Sequence, residues 1–570
     1  MDISLLIGSS AVLGAVYCAR LAKRRLELSK AKHPSLRGHS RMAKRLARLI
    51  PNFEYGVEEF FGVDGAPAAV AAQRRTGFER LARSLRSRFA KGKAENDSLR
   101  SAVSDMQFTA AYRVPFPFSR YVREQLPVPA VMLSAEGTQL TDLDGNVAFD
   151  LSGSYGVNVF GVDFYRSCIR EATERADTLG PVLGYYHTST SFNVTRLQEI
   201  SQLDEVSFHM SGTEAVMQAV RLARYHTRRT HLVRFCGAYH GWWGDVQPGV
   251  GNPQRVRETY TLKDIDADTL HVLETRNDIA CVLINPLQAL HPNSDAPSDG
   301  QLLGSDRSAR FDYAAYKAWL ERLRDVCTRR SIVLIFDEVF LGFRLARGGA
   351  QEYFGVRADM VAYGKTLGGG LPVGVLCGKR QWMQRFYRER PLDICFARGT
   401  FNTHPYVMTA MQIFLERLET PEIQAIYASS ESTWKRRAEM LNHRLTEAQI
   451  PVQVAHLSSI FTVLYSTPCR YNWMFQYYLR EQGLALGWIG TGRFIFSLNY
   501  SEDEFAEVVK RILAAGLAMK ADGFWWREDA LTNRDLRQQV LKDLWRRGFR
   551  QTPPPSVRQL PPVPAEDARA

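Results

Sequence analysis

Between about residue 200 and residue 340 the chain alternates short apolar runs with stretches of helical period. The runs Val206-Ser207-Phe208-His209, His231-Leu232-Val233-Arg234-Phe235, Ala280-Cys281-Val282-Leu283-Ile284 and Ile332-Val333-Leu334-Ile335-Phe336 read as buried strands, and residues 215–225 and 313–328 read as helices between them. Continuous rather than alternating apolar runs mark strands covered on both faces, and the intervening helices supply the crossovers that parallel pairing needs. The pattern predicts an α/β fold with a large, mostly parallel sheet. Upstream, residues 137–146 hold two short strand candidates around the turn Asp144-Gly145-Asn146. From about Pro405 longer amphipathic helices dominate, and the runs Phe461-Thr462-Val463-Leu464-Tyr465 and Phe494-Ile495-Phe496-Ser497-Leu498 suggest a smaller α+β domain. Pro553-Pro554-Pro555 through Pro561-Pro562 reads as a disordered tail.

The N-terminus has a different pattern. Residues 3–19 are apolar or small throughout and are followed by Arg20, Lys23, Arg24 and Arg25. As a helix the run would be about 25 Å long, short for a bilayer but within reach if Leu21 and Ala22 join it and basic side chains snorkel. Asp2 precedes it and basic residues follow, the reverse of a secretory signal. The expectation is a membrane anchor over residues 1–22 that leaves the catalytic part in the cytoplasm, at the inner face of the membrane; an interfacial helix and an ordinary buried helix are the competing readings. Residues 23–105 then form a basic juxtamembrane region. From Arg20 to Arg48, Lys30, Lys32, Arg37, Arg41, Lys44 and Arg45 stand against the single acid Glu27, which suits anionic headgroups or a solvated linker. Within 74–93, arginines repeat at roughly helical spacing around Phe78, Leu81, Leu85 and Phe89, as in a helix lying on a surface or packed on the body.

With 570 residues and 45% hydrophobic composition the chain can bury the core of two or more domains. Its formal charge of +13 is concentrated near the N-terminus, and few aromatics interleave with it, so nucleic acid is not an expected partner. Eight cysteines with no CxxC pair argue against a disulfide framework or a zinc site.

Two residues carry the candidate chemistry. Asp337 ends the apolar run 332–336, and Lys365 lies in Tyr363-Gly364-Lys365-Thr366-Leu367-Gly368-Gly369-Gly370. A carboxylate and an amine at the ends of two buried strands are what pyridoxal 5'-phosphate (PLP) requires: a partner for its ring nitrogen and an amine for its aldehyde. A carboxylate beside the ring nitrogen keeps it protonated and electron-withdrawing, and a lysine freed by the substrate can move a proton if burial lowers its pKa. Val339 is placed to pack on one ring face and Tyr239, from Ala238-Tyr239-His240-Gly241, on the other, with His240 in support. Ser211-Gly212-Thr213-Glu214 opens the helix at 215–225 and reads either as a phosphate site or as a plain capping box.

These motifs, in this order over about residues 120–518, resemble the class III, fold-type-I PLP-dependent aminotransferases, and within them the glutamate-1-semialdehyde aminomutase branch. The resemblance implies a seven-stranded large domain over 171–390, a small domain assembled from 106–170 and 391–530, and a basic Pro-rich tail over 531–570. It implies that Ser211, Gly212 and Thr213 hold the phosphate and that Gln288 contacts the ring hydroxyl. Thr400, in Arg398-Gly399-Thr400-Phe401, would reach the neighbouring subunit's cofactor in a homodimer with shared active sites. Ser154 and Tyr155 would line the substrate pocket. Arg120 falls where that branch keeps its carboxylate-binding arginine, against the reading of a surface arginine. Two departures stand out: Asn285-Pro286 replaces the usual Glu-Pro, and Met210 replaces the asparagine before Ser-Gly-Thr. They bear on substrate choice more than on cofactor. The expected activity is amino transfer from a small amino donor to an aldehyde or ketone on a hydrophobic or acyl-derived substrate at the membrane; the alternatives are a 2,1-aminomutase and an inactive membrane-tethered scaffold.

Overall fold

The computed structural model describes residues 3–32, 49–50, 52–111, 113–128, 130–247, 257–291, 300–307, 309–528 and 531–548. Its centre is a seven-stranded sheet in the order Glu205–His209, Gly374–Gly378, Met360–Gly364, Val333–Asp337, Ile279–Ile284, His231–Phe235, Thr259–Leu262. Gly374–Gly378 runs antiparallel to both of its neighbours and the other pairs are parallel. The predicted strands thus form, and the four central ones are buried at every position, as their unbroken apolar runs require. The helices Gly212–Thr227 and Tyr313–Arg329 cover the sheet with apolar stripes that include Ala215, Ala219 and Leu222 on one and Trp319, Leu320 and Leu323 on the other.

The smaller layer draws on chain segments both before and after the large sheet. Met132–Glu136, Gln139–Asp142 and Val147–Asp150 form antiparallel pairs, and Leu484–Ala485 adds to them in parallel. Val452–Leu457, Ile460–Tyr465 and Phe494–Ile495 form a second small sheet under the helices Pro421–Glu447 and Glu502–Ala521. Arg344, fully buried, joins the large and small parts by donating to Ser459 Oγ, Phe496 O and Asn158 O at 2.6, 2.7 and 3.1 Å.

The expected membrane anchor is not supported. Among the described residues no helix is long and apolar enough to cross a membrane. The reason is local: the helix Ile3–Ala31 keeps Gly8, Ser9, Ser10 and Gly14 in its apolar part and continues unbroken into Arg20, Lys23, Arg24 and Arg25. Its later half docks on protein, with Ala31 buried, the Lys263 N–H donating to Ala31 O at 2.8 Å, and Glu27 3.4 Å from His271. The basic stretch 33–48 lies outside the described residues.

The helix Ala68–Arg88 settles the second basic segment as one packed on the body. Phe78, Leu81 and Leu85 are buried, and a Cβ on Gly77 would meet Asp522 Cγ at 2.3 Å. Arg74 is fully buried, paired with Asp64 at 2.7 Å, donating to Gly523 O at 2.9 Å and lying 4.4 Å from the Tyr471 ring centre. Breaking such a pair from one side leaves a bare buried charge, which costs about 3–5 kcal/mol. At the other end Asn533–Gly548 is a helix held by Asp543 to Arg470 at 3.0 Å, and the Pro-rich stretch from Pro553 lies outside the described residues.

Candidate active site

The ends of the parallel strands and the loops beyond them converge on one point, as open α/β sheets direct ligands to the carboxyl edge. Val333–Asp337 delivers Asp337, whose carboxylate accepts from His240 Nδ1 at 2.8 Å and from the Val339 N–H at 3.2 Å. His240 is buried, and burial holds it below the ordinary imidazole range against the pull of Asp337. A neutral ring donating through Nδ1 leaves Nε2 as an acceptor, and that atom is buried without a partner.

Met360–Gly364 delivers Lys365 in a left-handed conformation, with φ 48°. Ser154 and Tyr155 share that region at 46° and 55°. Three non-glycine residues in a disfavoured backbone state at one place mark a site held by its surroundings. Lys365 Nζ donates to Tyr155 O and lies 4.7 Å from the centre of the Phe340 ring. Burial brings its pKa down to about 8, with Arg344 and Arg493 assisting and Asp337 opposing. At pH 7 the neutral amine is then about 300-fold more populated than on an ordinary lysine.

Ser211 caps the helix Gly212–Thr227, accepting from Glu214 N at 3.3 Å, while Glu214 accepts from Met210 N at 2.9 Å. Ser211 thus caps the helix without the reciprocal bond of a full capping box, since Glu214 accepts from Met210 N and not from Ser211 N, and the first-turn N–H groups of Gly212 and Thr213, which have no intrahelical acceptor, are left for an anion. Space at this turn is tight. A Cβ on Gly212 would strike Val339 Cγ1 at 2.5 Å, and one on Gly241 would strike Thr213 Oγ1 at 2.5 Å. Val339 thus sits between the phosphate turn and Gly364, beside Asp337.

The structure brings together Asp337, His240, Val339, Gly212, Thr213, Ser211, Tyr155 and Lys365. Tyr239 borders them and is mostly exposed, its carbonyl accepting from Asn285 Nδ2 at 3.3 Å. Gln288 lies deeper, donating to Cys236 O and Asp264 Oδ2 at 3.3 Å each, with Oε1 buried and unpartnered. Thr400 is on the surface of the chain, on the loop that Arg398 ties to Gly184 O. Arg120 is exposed and paired with Glu54 at 3.2 Å and Glu124 at 3.1 Å; its ion pairs are with these acids and not with cleft residues.

Sequence reasoning missed Arg493, Phe340 and Glu338. Arg493 lies 5.8 Å from the ring centre of Phe340, the ring that Lys365 also faces, and its Nε is buried without a partner. Burial, then Arg113, lowers it to about 10. Nothing in a lone Gly492-Arg493 marks that position. Glu338 points away, accepting from Ala350 N at 2.6 Å at the start of the helix Gly349–Phe354, and burial raises it to about 8.

PLP fits these residues: a glycine-cleared turn with free N–H groups, a buried carboxylate braced by a histidine, and a buried amine facing both. Comparisons with known proteins agree. The chain is 32% identical over 365 residues to the glutamate-1-semialdehyde 2,1-aminomutase of Methanocaldococcus jannaschii, covering 60% of this chain and 78% of that protein. Its fold matches an omega-transaminase from Sphaerobacter thermophilus (TM-score 0.59, 26% identity, 74% of this chain and 98% of that one). It also matches a transaminase solved with PLP bound (TM-score 0.58, 26% identity, 73% and 99%). A family profile described as aminotransferase class-III matches residues 121–515, and with the site assembled as above the chain belongs to the class III aminotransferases, a PLP-dependent enzyme family.

Proposed function

We propose that the chain is an aminotransferase that moves an amino group from an amino-acid donor to an aldehyde or ketone with an apolar body. The observation that carries the proposal is Lys365: an amine that burial brings down to about 8, within the influence of Asp337 and facing the same Phe340 ring as Arg493, whose Nε is buried without a hydrogen-bond partner. Bound PLP supplies an aldehyde that condenses with amines and a ring that accepts the electron pair left on the neighbouring carbon. Asp337 holds the ring nitrogen, and His240 Nδ1 fixes the carboxylate that does so. Gly212 and Thr213 N–H groups hold the phosphate, with Val339 and Tyr239 on the two ring faces. Lys365 Nζ would bind the aldehyde when the cofactor is held and, as a free amine that burial keeps partly neutral, would take the proton of the substrate α-carbon. Arg493 pairs with the donor carboxylate in place of the expected Arg120, because its Nε is unpartnered at the cleft while Arg120 already has two acids. Subunits pair so that the Thr400 loop meets the partner's phosphate site. The exposed Tyr185, Tyr186, Phe396 and Phe401 beside it give that contact an apolar face.

One observation favours a second reading, a 2,1-aminomutase: relatives carrying that name reach 34% identity. The experiment that separates the two supplies single amino acids to the PLP form and assays released keto acid. Stoichiometric keto acid supports transamination. Its absence with every donor, together with isomerisation of a glutamate-1-semialdehyde-type substrate, assigns the mutase.

A further inference from the structure

The family match begins at residue 121, but the wall of the cleft begins earlier. The helix Ser104–Ala111 carries Phe108, whose ring centre is 5.9 Å from that of Trp488. Trp488 stands 6.5 Å from Tyr155, and its N–H donates to the Tyr155 hydroxyl at 3.3 Å. The Tyr155 carbonyl accepts from Lys365 Nζ. Three rings are therefore linked pairwise, starting at the residue whose carbonyl holds the amine, and all are partly open to solvent, at 42% for Tyr155, 37% for Trp488 and 57% for Phe108. Aromatic faces left wet in a row offer apolar area that a guest molecule can cover.

The same segment holds the loop that carries this wall. Arg113 Nε donates to Ile489 O at 3.0 Å, Gln476 Nε2 donates to Arg113 O at 2.9 Å, and a Cβ on Gly492 would strike the Arg113 guanidinium at 2.3 Å. Arg113 itself has φ 65°, a left-handed state that such contacts must maintain. Phe108 and Arg113 thus brace residues 487–493, the stretch that brings Trp488 and Arg493 to the cleft.

We infer that the helix Ser104–Ala111 supplies a substrate-selecting wall, in which Phe108 continues the surface of Tyr155 and Trp488 and takes the far end of the alkyl or aryl body of the carbonyl acceptor. The inference rests on the transamination reading and gives its acceptor a place. Short acceptors end at Tyr155, and longer ones reach Phe108. Each methylene covered on the wall adds about fourfold in affinity.

The test uses full-length PLP-loaded protein as wild type, Phe108→Ala and Phe108→Trp. Straight-chain aldehydes of graded length are compared by kcat/KM, and the matching unreactive n-alkyl carboxamides are titrated by calorimetry. In wild type both series climb with length. In Phe108→Ala the ratio of longest to shortest falls about tenfold in both, and Phe108→Trp retains it. A wild type indifferent to length, or a Phe108→Ala protein with an unchanged ratio in the amide series, overturns the wall. If no aldehyde is aminated while the amide series still climbs and depends on Phe108, the transamination reading fails and the wall stands.

Discussion

Behind Lys365 the molecule is closed, and in front of it the molecule is open. Asp337 and His240, on the floor, are 3% and 1% exposed, and their polar contacts are short and internal. At the rim Tyr239 and Trp242 are 64% and 74% exposed, although they flank His240 in the chain. The floor is crowded enough that single methyl groups on Gly212 or Gly241 have nowhere to go, whereas Tyr155, Trp488 and Phe108, further along the rim, keep 37 to 57% of their surface open. A closed floor suits chemistry common to every substrate, because pre-placed charges act most strongly where water is excluded. An open rim suits choice among substrates, since pocket shape and apolar area set discrimination.

If that division holds, floor variants cost rate with all substrates and rim variants cost affinity with some. Lys365→Ala should show the largest effect, a fall in kcat of about 10³ to 10⁴ with every donor, together with loss of the visible band of the bound cofactor. Asp337→Asn comes next: at saturating PLP, single-turnover proton removal should slow by about 10² to 10³ with every donor. Substrate-dependent loss in either variant would break the division. Arg493→Ala should instead raise KM for amino-acid donors by about 10- to 100-fold and change amines lacking a carboxylate far less. A smaller effect comes from pH. Because burial depresses Lys365 to about 8, its neutral form grows through that value, so PLP uptake by the cofactor-free protein should rise about tenfold from pH 7 to 9 and then level off. A midpoint near 10 would mean that the amine is not buried as described. Arg120→Ala should change KM by less than about twofold, the size expected for an exposed ion-paired residue.

The floor was legible in the sequence because its residues sit at the ends of apolar runs. The run 332–336 predicts a buried strand, and a carboxylate directly after it has to lie at the sheet edge; Lys365 follows Met360–Gly364 in the same way. Ser211 showed that two readings of one motif need not compete, since its hydroxyl caps the helix while its neighbours' N–H groups stay available. The rim was illegible because its contacts join distant segments: Arg493 and Phe340 meet through folding, and no spacing announces it. Arg120 was chosen by position along the chain, and position carries no information about Glu54 and Glu124. The N-terminal run misled for a related reason. Length and apolarity were read there without the part that follows, and it is that later part, through Glu27 and Ala31, that docks on protein.

Arg74 completes its hydrogen bonds on Gly523, 449 residues further along the chain. A ribosome adding about 5–20 residues per second needs roughly 20 to 90 seconds to make that stretch. Throughout that interval Phe60, Phe61 and Phe78 lack the Tyr471 ring and what packs behind it, and Arg74 has Asp64 and Phe61 O but neither Gly523 O nor the ring that covers it. The nascent chain is thus obliged to carry an adhesive patch of bare rings until residues 471–524 have been made, which makes that interval a matter for chaperones.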